Sequence, residues 1–343
     1  MSENSGIPII RSVEEFSNHL GLSRWTVSRI LNGHKGVREE TRQRVLAEMS
    51  RLNFQPNMMA RSLRGSKTGL VGVCLQAIDS PILARKISGI QKVLHERGLR
   101  GVLEVTSGQP EAERSVINHF LSLQVEGIIL VGSTLQPNDP IFTRLSAEKT
   151  SVVSVDAAWD VPLPRVELNR HGAMLLCLRH LLKRGRTSFA LLGLESDPIY
   201  GYRRIEGLKE AAEKLDLSWD NAFTSFKVDS QAQWSFGYGD AMAQELLQME
   251  SPPRGIIALN DEVAIGALKT IREWGYFVPR DFSVVGFDNL DIGEWTEPGL
   301  TSIAQNVEGL IEHSIQLMQD ESAMEGDFPV VKVQPRLIVR GST

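Results

Sequence analysis

Cysteine is nearly absent. The 343 residues hold two, Cys74 and Cys177, each inside an apolar pattern, which reads as two reduced core thiols and argues against a disulfide framework or a cysteine-ligated metal. Long hydrophobic runs are missing as well: the longest, such as GLVGVCL at Gly69 to Leu75, are far shorter than the roughly 20 residues a membrane helix needs. The opening residues, MSENSGIPII, carry no basic segment followed by a secretory apolar core. The expected location is therefore the cytoplasm, with no membrane partner. Enzyme signatures are equally scarce, with no G-x-G-x-x-G after the first apolar run, no G-x-x-x-x-G-K-[ST], no H-E-x-x-H and no G-x-S-x-G. Seven histidines are scattered, and His171 and His180 lack metal-ligand spacing. No catalytic residue, metal ligand or cofactor is expected.

What is present is ample apolar content, 42%, in a chain long enough for two or three domains. The net charge of −5 hides an asymmetry. Residues 1–68 contain 11 Lys and Arg against 6 Asp and Glu, a net of +5, while the remainder carries −10. A positive module on an acidic body points to a polyanionic partner for the module.

That module divides into three short helical patterns. Val13, Phe16 and Leu20 recur at helical spacing, with Ser12 as the expected N-cap and Gly21 as the stop. Ser23 caps a second helix, LSRWTVSRILNG, whose Val27, Ile30 and Leu31 form one face and whose Arg24, Trp25, Ser28 and Arg29 form another. Val45, Met49 and Leu52 share one face of a third helix, with Glu39 and Glu40 in its first turn. A helix, a brief turn containing glycine and a second helix showing polar side chains outward is the helix-turn-helix arrangement, which places that second helix in the major groove of DNA. Arg24, Trp25 and Arg29 are then the base-reading candidates, because arginine donates two hydrogen bonds to guanine and an indole makes apolar or donor contacts. Thr26 and Ser28, near the helix start, suit phosphate oxygens. A solvated basic face is the alternative reading of the same pattern.

In FQPNMMARSLRGSK, Phe54 to Lys67, Asn57 can cap a helix of about two turns reaching Leu63, too short to hold itself in water and so expected to order only when supported. From Gly69 onward, apolar runs at 70–75, 102–105, 128–131 and 152–155 alternate with helical patterns such as 82–97 and 111–123. A second series follows, with runs at 189–194, 223–228, 256–259 and 284–287 and helices near 172–184, 204–215, 237–249 and 262–275. Two such sets imply two doubly wound parallel-sheet lobes, with a ligand cleft at the carboxyl ends of their strands.

The chain resembles the lactose and galactose repressor (LacI-type) family of bacterial transcription regulators. In the head the resemblance rests on TVSRILNG (Thr26 to Gly33), ETRQRVLAEMSRLNFQPN (Glu40 to Asn57) and ARSL (Ala60 to Leu63). In the body it rests on HLLKRGRTSFALLG (His180 to Gly193), RIEG (Arg204 to Gly207), the long segment ALNDEVAIGALKTIREWGYFVPRDFSVVGFDN (Ala258 to Asn289), LTSI (Leu300 to Ile303) and PRLIVRGS (Pro335 to Ser342). Their order and spacing together are highly specific. The fold implied is a small all-α helix-turn-helix head at 1–55, a hinge helix and linker at 56–68, and an α/β effector-binding and dimerisation body at 69–343 of the type I periplasmic-binding-protein kind. Within the body the expected N-lobe is about 69–161 plus 303–322, and the C-lobe about 162–302 plus 323–343.

On single residues, the resemblance implies base reading by Arg24, Trp25 and Arg29, and a minor-groove wedge at Leu63 with Ala60 beside it. It implies effector contacts at Gln76, Asp156, Arg204, Asn260 and Asp288, whose carboxylate, amide and guanidinium groups suit a sugar-like ligand. Capping of neighbouring helices is the other reading for Asn260 and Asp288. Trp234 lies about two positions from the family's sugar-stacking aromatic. Ser17, Arg38 and Leu168 depart from the family, which has alanine in the first helix, a capping serine, and often aspartate before Asn169. The expected partners are double-stranded operator DNA, a sugar-like effector and a second copy of the chain. No leucine heptads follow PRLIVRGS, so the expected assembly is a homodimer associated with the bacterial nucleoid. The rival classes are an α/β enzyme, which the missing signatures disfavour, and an exported solute-binding protein, which would have a secretion signal in place of the basic head.

Overall fold

Residues 10–31, 36–54, 68–148, 150–196, 200–228, 235–324 and 326–343 are described by a computed structural model. They belong to two units, 1–69 and 70–343. In the first, α1 (Val13–Leu20) begins where the Ser12 hydroxyl accepts the Glu15 amide at 3.1 Å and stops at Gly21, whose φ of 65° is left-handed. At the start of α2 (Arg24–Leu31) the Ser23 hydroxyl accepts the Thr26 amide at 3.1 Å. Arg38 gives α3 (Glu39–Arg51) no side-chain cap, and Glu39 and Glu40 instead place negative charge at its N-terminal turn. The apolar faces meet in one core of Phe16, Leu20, Val27, Ile30, Val45 and Phe54, with the Phe16 and Phe54 rings stacked at 4.4 Å. Ser17 is buried there, and its hydroxyl is satisfied by donating to the Val13 carbonyl at 2.6 Å.

The second unit begins with β1 (Leu70–Leu75), α4 (Pro81–Glu96), β2 (Arg100–Val105), α5 (Pro110–Ser122), β3 (Gly127–Val131), α6 (Pro140–Glu148), β4 (Ser151–Val155) and β5 (Arg165–Leu168). The chain then crosses to a second lobe with α7 (Arg170–Lys183), β6 (Phe189–Leu192), α8 (Tyr200–Lys214), α9 (Trp219–Ala222), β7 (Phe223–Phe226), α10 (Phe236–Leu247), β8 (Gly255–Ala258), α11 (Asp261–Glu273), β9 (Ser283–Phe287) and β10 (Thr301–Ala304). It returns for α12 (Val307–Gln319) and β11 (Val330–Val333), and crosses a third time for β12 (Arg336–Ile338). Among the described residues there are two six-stranded sheets, ordered β11-β5-β4-β3-β1-β2 and β12-β10-β9-β8-β6-β7. Neighbours pair in parallel except β12, which runs antiparallel to β10. The central strands are buried along their length, as strands covered by helices on both faces must be.

The lobe boundaries differ from those expected. β5 and β11 pair in the first sheet, with Leu168 opposite Val333, so the first lobe continues past 161 and reclaims the segment at 330–333. β10 completes its pairing with β9 before the chain returns, so the second lobe extends past 302 to Ala304. α12 covers the first sheet, where Val307, Leu310, Ile311 and Ile315 join Val71, Val73, Ile90 and Val153 in one core. In the second lobe, α10 and α11 touch backbone to backbone. A Cβ on Gly239 would lie 2.0 Å from the Val263 carbonyl oxygen, and one on Gly266 would lie 1.9 Å from that of Phe236.

Candidate functional site

Burial of Val27 and Ile30 in the head core turns the opposite side of α2 outward. Arg24 is exposed and Trp25 is 66% exposed. Arg29 differs from expectation: it is half-buried, and its guanidinium carbon lies 4.7 Å from the centroid of the Trp25 ring, four residues earlier on the same face. Thr26 and Ser28 are half-buried, and the Thr26 hydroxyl is 2.8 Å from that of Ser23, so it takes part in the cap. Ala60 and Leu63 of the expected hinge helix, and Trp234, lie outside the described residues.

In the body, charged side chains converge where the strands of both sheets end. Asp156 follows β4 at a φ of 53°, and Asp288 follows β9 at a φ of 107°. Asp156 is 2% exposed, and its carboxylate accepts from Lys86 Nζ at 2.7 Å, Arg170 Nη1 at 3.1 Å and the Leu168 amide at 2.9 Å. Burial alone would raise this carboxyl. The positive charges of Arg170 and Lys86 and the Leu168 amide outweigh it and hold Asp156 well below the usual carboxylate range. Leu168, where the family often has aspartate, thus contributes its backbone to the site.

Arg204 is buried on α8, with Nη1 donating to the Leu259 carbonyl and the guanidinium stacked 3.7 Å over the Phe287 ring. Asp288 accepts from Gln305 Nε2 at 2.5 Å. Burial raises its carboxyl, against the lowering effect of Arg204, Gln305, Lys86 and Arg170. The structure therefore brings Asp156, Arg204 and Asp288 into one buried cluster with Lys86, Arg170 and Gln305. Within it the Gln305 Oε1 atom is buried and has no hydrogen-bond partner among the described residues, which leaves an acceptor for a hydroxyl or amine. Beneath, Asp261 accepts from the Leu290 amide at 2.6 Å and the Ser302 hydroxyl at 2.5 Å. Its burial, with Asp288 nearby, pushes its carboxyl up to about 7.

Two expected effector residues are placed differently. Asn260 caps α11, its Oδ1 accepting the Val263 amide at 2.8 Å. Gln76 is half-buried after β1 and shares no hydrogen bond with the other four among the described residues. Arg85 bridges the lobes, with Nη2 at 2.6 Å from Asp291 Oδ1 and Nη1 donating to the Asn289 carbonyl at 3.2 Å. Arg203 of α8 likewise reaches Asp160 at 3.0 Å. The trough of about 460 Å³ on this flank is lined by Asp160, Glu167, Arg203, Glu206, Glu210 and Lys332 among others, and by none of the five expected residues. The cluster at the carboxyl ends of β4 and β9 is the better ligand candidate.

Lys86, Arg170 and Gln305 were not anticipated, yet two of them left a trace. Ile82, Lys86, Ile90 and Leu94 share a helical stripe, so Lys86 interrupts an apolar face. Arg170 is a cation in the first turn of a helix with no acidic residue there, which the helix dipole disfavours unless an anion lies close.

Residues 18–57 match the model of bacterial regulatory proteins of the lacI family, and 178–343 match a periplasmic binding protein-like domain. The chain carries a LacI-family helix-turn-helix domain and a periplasmic-binding-protein-like domain. Its LacI-family relatives include an HTH-type transcriptional repressor PurR of Mannheimia succiniciproducens, 25% identical over 96% of this chain and 98% of that protein. The catabolite control protein A of Staphylococcus aureus is 27% identical over 97% of this chain and 99% of its own. Among solved structures, a lac repressor dimer bound to operator and the anti-inducer ONPF shares the fold with a TM-score of 0.85 at 23% identity, covering 97% of this chain and 99% of that one. A LacI family transcriptional regulator from Enterococcus faecium with bound ribose has a TM-score of 0.67 at 26% identity, over 80% of this chain and 98% of that one. LacI-family proteins of this kind are DNA-binding transcription regulators. No helix among the described residues is long and apolar enough to cross a membrane, and no group of three His, Cys, Asp or Glu there could hold a metal.

Proposed function

We propose that this chain is a transcriptional regulator, acting as a repressor, that binds a pseudo-palindromic operator as a homodimer and responds to a sugar-like effector in the interlobe cleft of its body. The observation that carries this reading is the outward face of α2, with Arg24 and Trp25 exposed on a folded helix-turn-helix head whose sequence is basic in an otherwise acidic chain. Arg24, Trp25 and Arg29 read base edges, Thr26 and Ser28 contact phosphate, and Leu63 with Ala60 enters the minor groove at the operator centre. Two copies place two heads on half-sites one helical turn or a multiple apart. The relatives support the partners in kind: one neighbouring structure is a dimer on its operator, and another holds ribose.

In the body, Asp288, Arg204 and Gln305 face the ligand directly, while Asp156 acts with Lys86 and Arg170. Gln76 and Asn260 border the cleft. A ligand that alters how the lobes meet changes the DNA-competent population by the difference in its affinity for the two states. Cytoplasmic, nucleoid-associated action follows from the DNA partner. The test is selection of bound sequences from random duplex DNA by the full chain, then titration of the selected duplex with and without candidate sugars. Enrichment of a palindromic sequence and a sugar-dependent change in affinity support the reading. Uniform binding of all sequences at moderate salt refutes it.

A further inference from the structure

The contact between Trp25 and Arg29 bears on how α2 would read DNA. An arginine four residues from an exposed indole can extend into solvent or fold onto the ring. Here it folds onto it, 4.7 Å from the ring centroid, and is half-buried although it lies on the outward side of the helix. The guanidinium also approaches the Gly36 backbone. Arg29 Nη2 lies so close to Gly36 that a Cβ there would be 3.3 Å away, and Gly36 has a φ of 103°, which disfavours any other residue. The guanidinium thus lies against both an aromatic ring and the Gly36 backbone. Trp25 remains 66% exposed, so the stack occupies part of the indole only.

We propose that Trp25 is a positioning residue for Arg29, and that the two, with Gly36, act as one reader of a guanine edge. The inference rests on the DNA-binding reading above and refines it, because Trp25 then sets the orientation of the neighbouring arginine in place of reading a base of its own. The physical reason is pre-organisation. A bidentate contact to guanine O6 and N7 requires the planar fork of the guanidinium in one orientation, and a free arginine must lose rotamer entropy to reach it. Stacking removes much of that freedom before DNA arrives, so the contact gains affinity without a new hydrogen bond. Lysine cannot replace Arg29 in this device, since an ammonium has no plane to stack and no fork to present.

The experiment uses the full chain and the duplex selected from random DNA, together with duplexes in which each base pair of a half-site is changed singly. Affinities are compared for the starting protein, Arg29→Ala, Trp25→Ala, Trp25→Tyr, Gly36→Ala and the Trp25→Ala, Arg29→Ala double variant. Arg29→Ala is expected to erase a preference of roughly 5- to 100-fold for guanine at one base pair. Trp25→Ala is expected to weaken that same preference about 3- to 10-fold and leave the other positions unchanged. Trp25→Tyr, which keeps a stacking ring, restores most of it, and Gly36→Ala erodes it at the same base pair. The double variant is no worse than Arg29→Ala alone.

If Trp25→Ala flattens a different base pair while the Arg29-dependent preference survives, or if the two losses multiply in the double variant, Trp25 reads its own base and the proposal is overturned. A failure of Trp25→Tyr to restore the preference overturns it also. If the starting protein discriminates no base pair, the DNA-binding reading itself fails, and that case is recognised because Arg29→Ala then changes nothing.

Discussion

The buried ion cluster makes an ordered prediction: replacing Asp156 costs more stability than replacing Lys86. Lys86 and Asp156 are 5% and 2% exposed and 2.7 Å apart. At that separation the direct attraction is about 6 kcal/mol for an effective dielectric of about 20, and desolvation of both ions offsets much of it. In Lys86→Met the carboxylate keeps the Arg170 guanidinium at 3.1 Å and the Leu168 amide at 2.9 Å. The loss is therefore at the low end for a broken buried pair, about 3 kcal/mol. In Asp156→Asn two buried cations, Lys86 and Arg170, lose their shared counterion and repel each other, so the cost is about 4 to 5 kcal/mol. The double variant recovers part of it, because one of the stranded cations is gone. Equilibrium denaturation in urea, with fluorescence and far-UV circular dichroism read on the same samples, gives the three values for the body transition. Equal costs for the two single variants, or a double variant whose loss is the sum of both, would show that the carboxylate is not the shared counterion and would refute the reasoning.

Acid should act through the same carboxylate. The folded-state value of Asp156 lies below its unfolded value, so its stabilising contribution is complete above about pH 4 and is lost as pH falls further. Asp261 works in the opposite direction. Its folded value is raised to about 7, so its contribution is complete below about pH 4 and disappears as pH climbs towards 7. Asp261→Asn, which keeps an acceptor for the Leu290 amide and offers a donor to Ser302, is expected to flatten the stability profile between pH 4 and 7, and an unchanged slope would contradict this. Phe16→Ala removes half of the stacked pair in the head core and should cost about 3 to 4 kcal/mol, seen as early melting of the head with the body transition intact. Gly266→Ala forces α10 and α11 apart and should cost about 2 to 3 kcal/mol in the body transition, with a smaller effect at the open Gly98 as the control, apart from its left-handed backbone.

The legible parts of the fold were those with strong periodicity. The buried strands β1, β3, β4, β8 and β9 are apolar nearly throughout, and α4, α5, α7 and α11 have long amphipathic patterns with recognisable ends. β5, β11 and β12 are too short and too mixed for period or composition to signal them: RVEL, VVKV and RLI are three or four residues each. Because these strands decide which lobe each crossing belongs to, missing them misplaced the boundaries. The apolar residues of α12, Val307, Leu310, Ile311 and Ile315, pack on the first sheet, within the 303–322 segment that the resemblance assigned to the first lobe. At the candidate site, the acidic residues after β4 and β9 could be placed by motif, whereas their counterions could not. A cation in an apolar stripe, such as Lys86, shows that a partner exists without showing where in the chain that partner lies.

The three passages between the lobes have a consequence for synthesis. A ribosome delivers the first sheet's strands β1 to β5 early, yet the helix α12 that seals one face of it and the strand β11 that finishes its edge emerge more than 130 residues after β5. Until then Val71, Val73 and Val153 lack part of their cover. The second lobe, by contrast, gains all five of its parallel strands, β6 to β10, in an unbroken stretch and then lacks only the antiparallel edge strand β12. The later lobe is thus able to consolidate while the earlier one waits, reversing the usual order in which nascent domains mature.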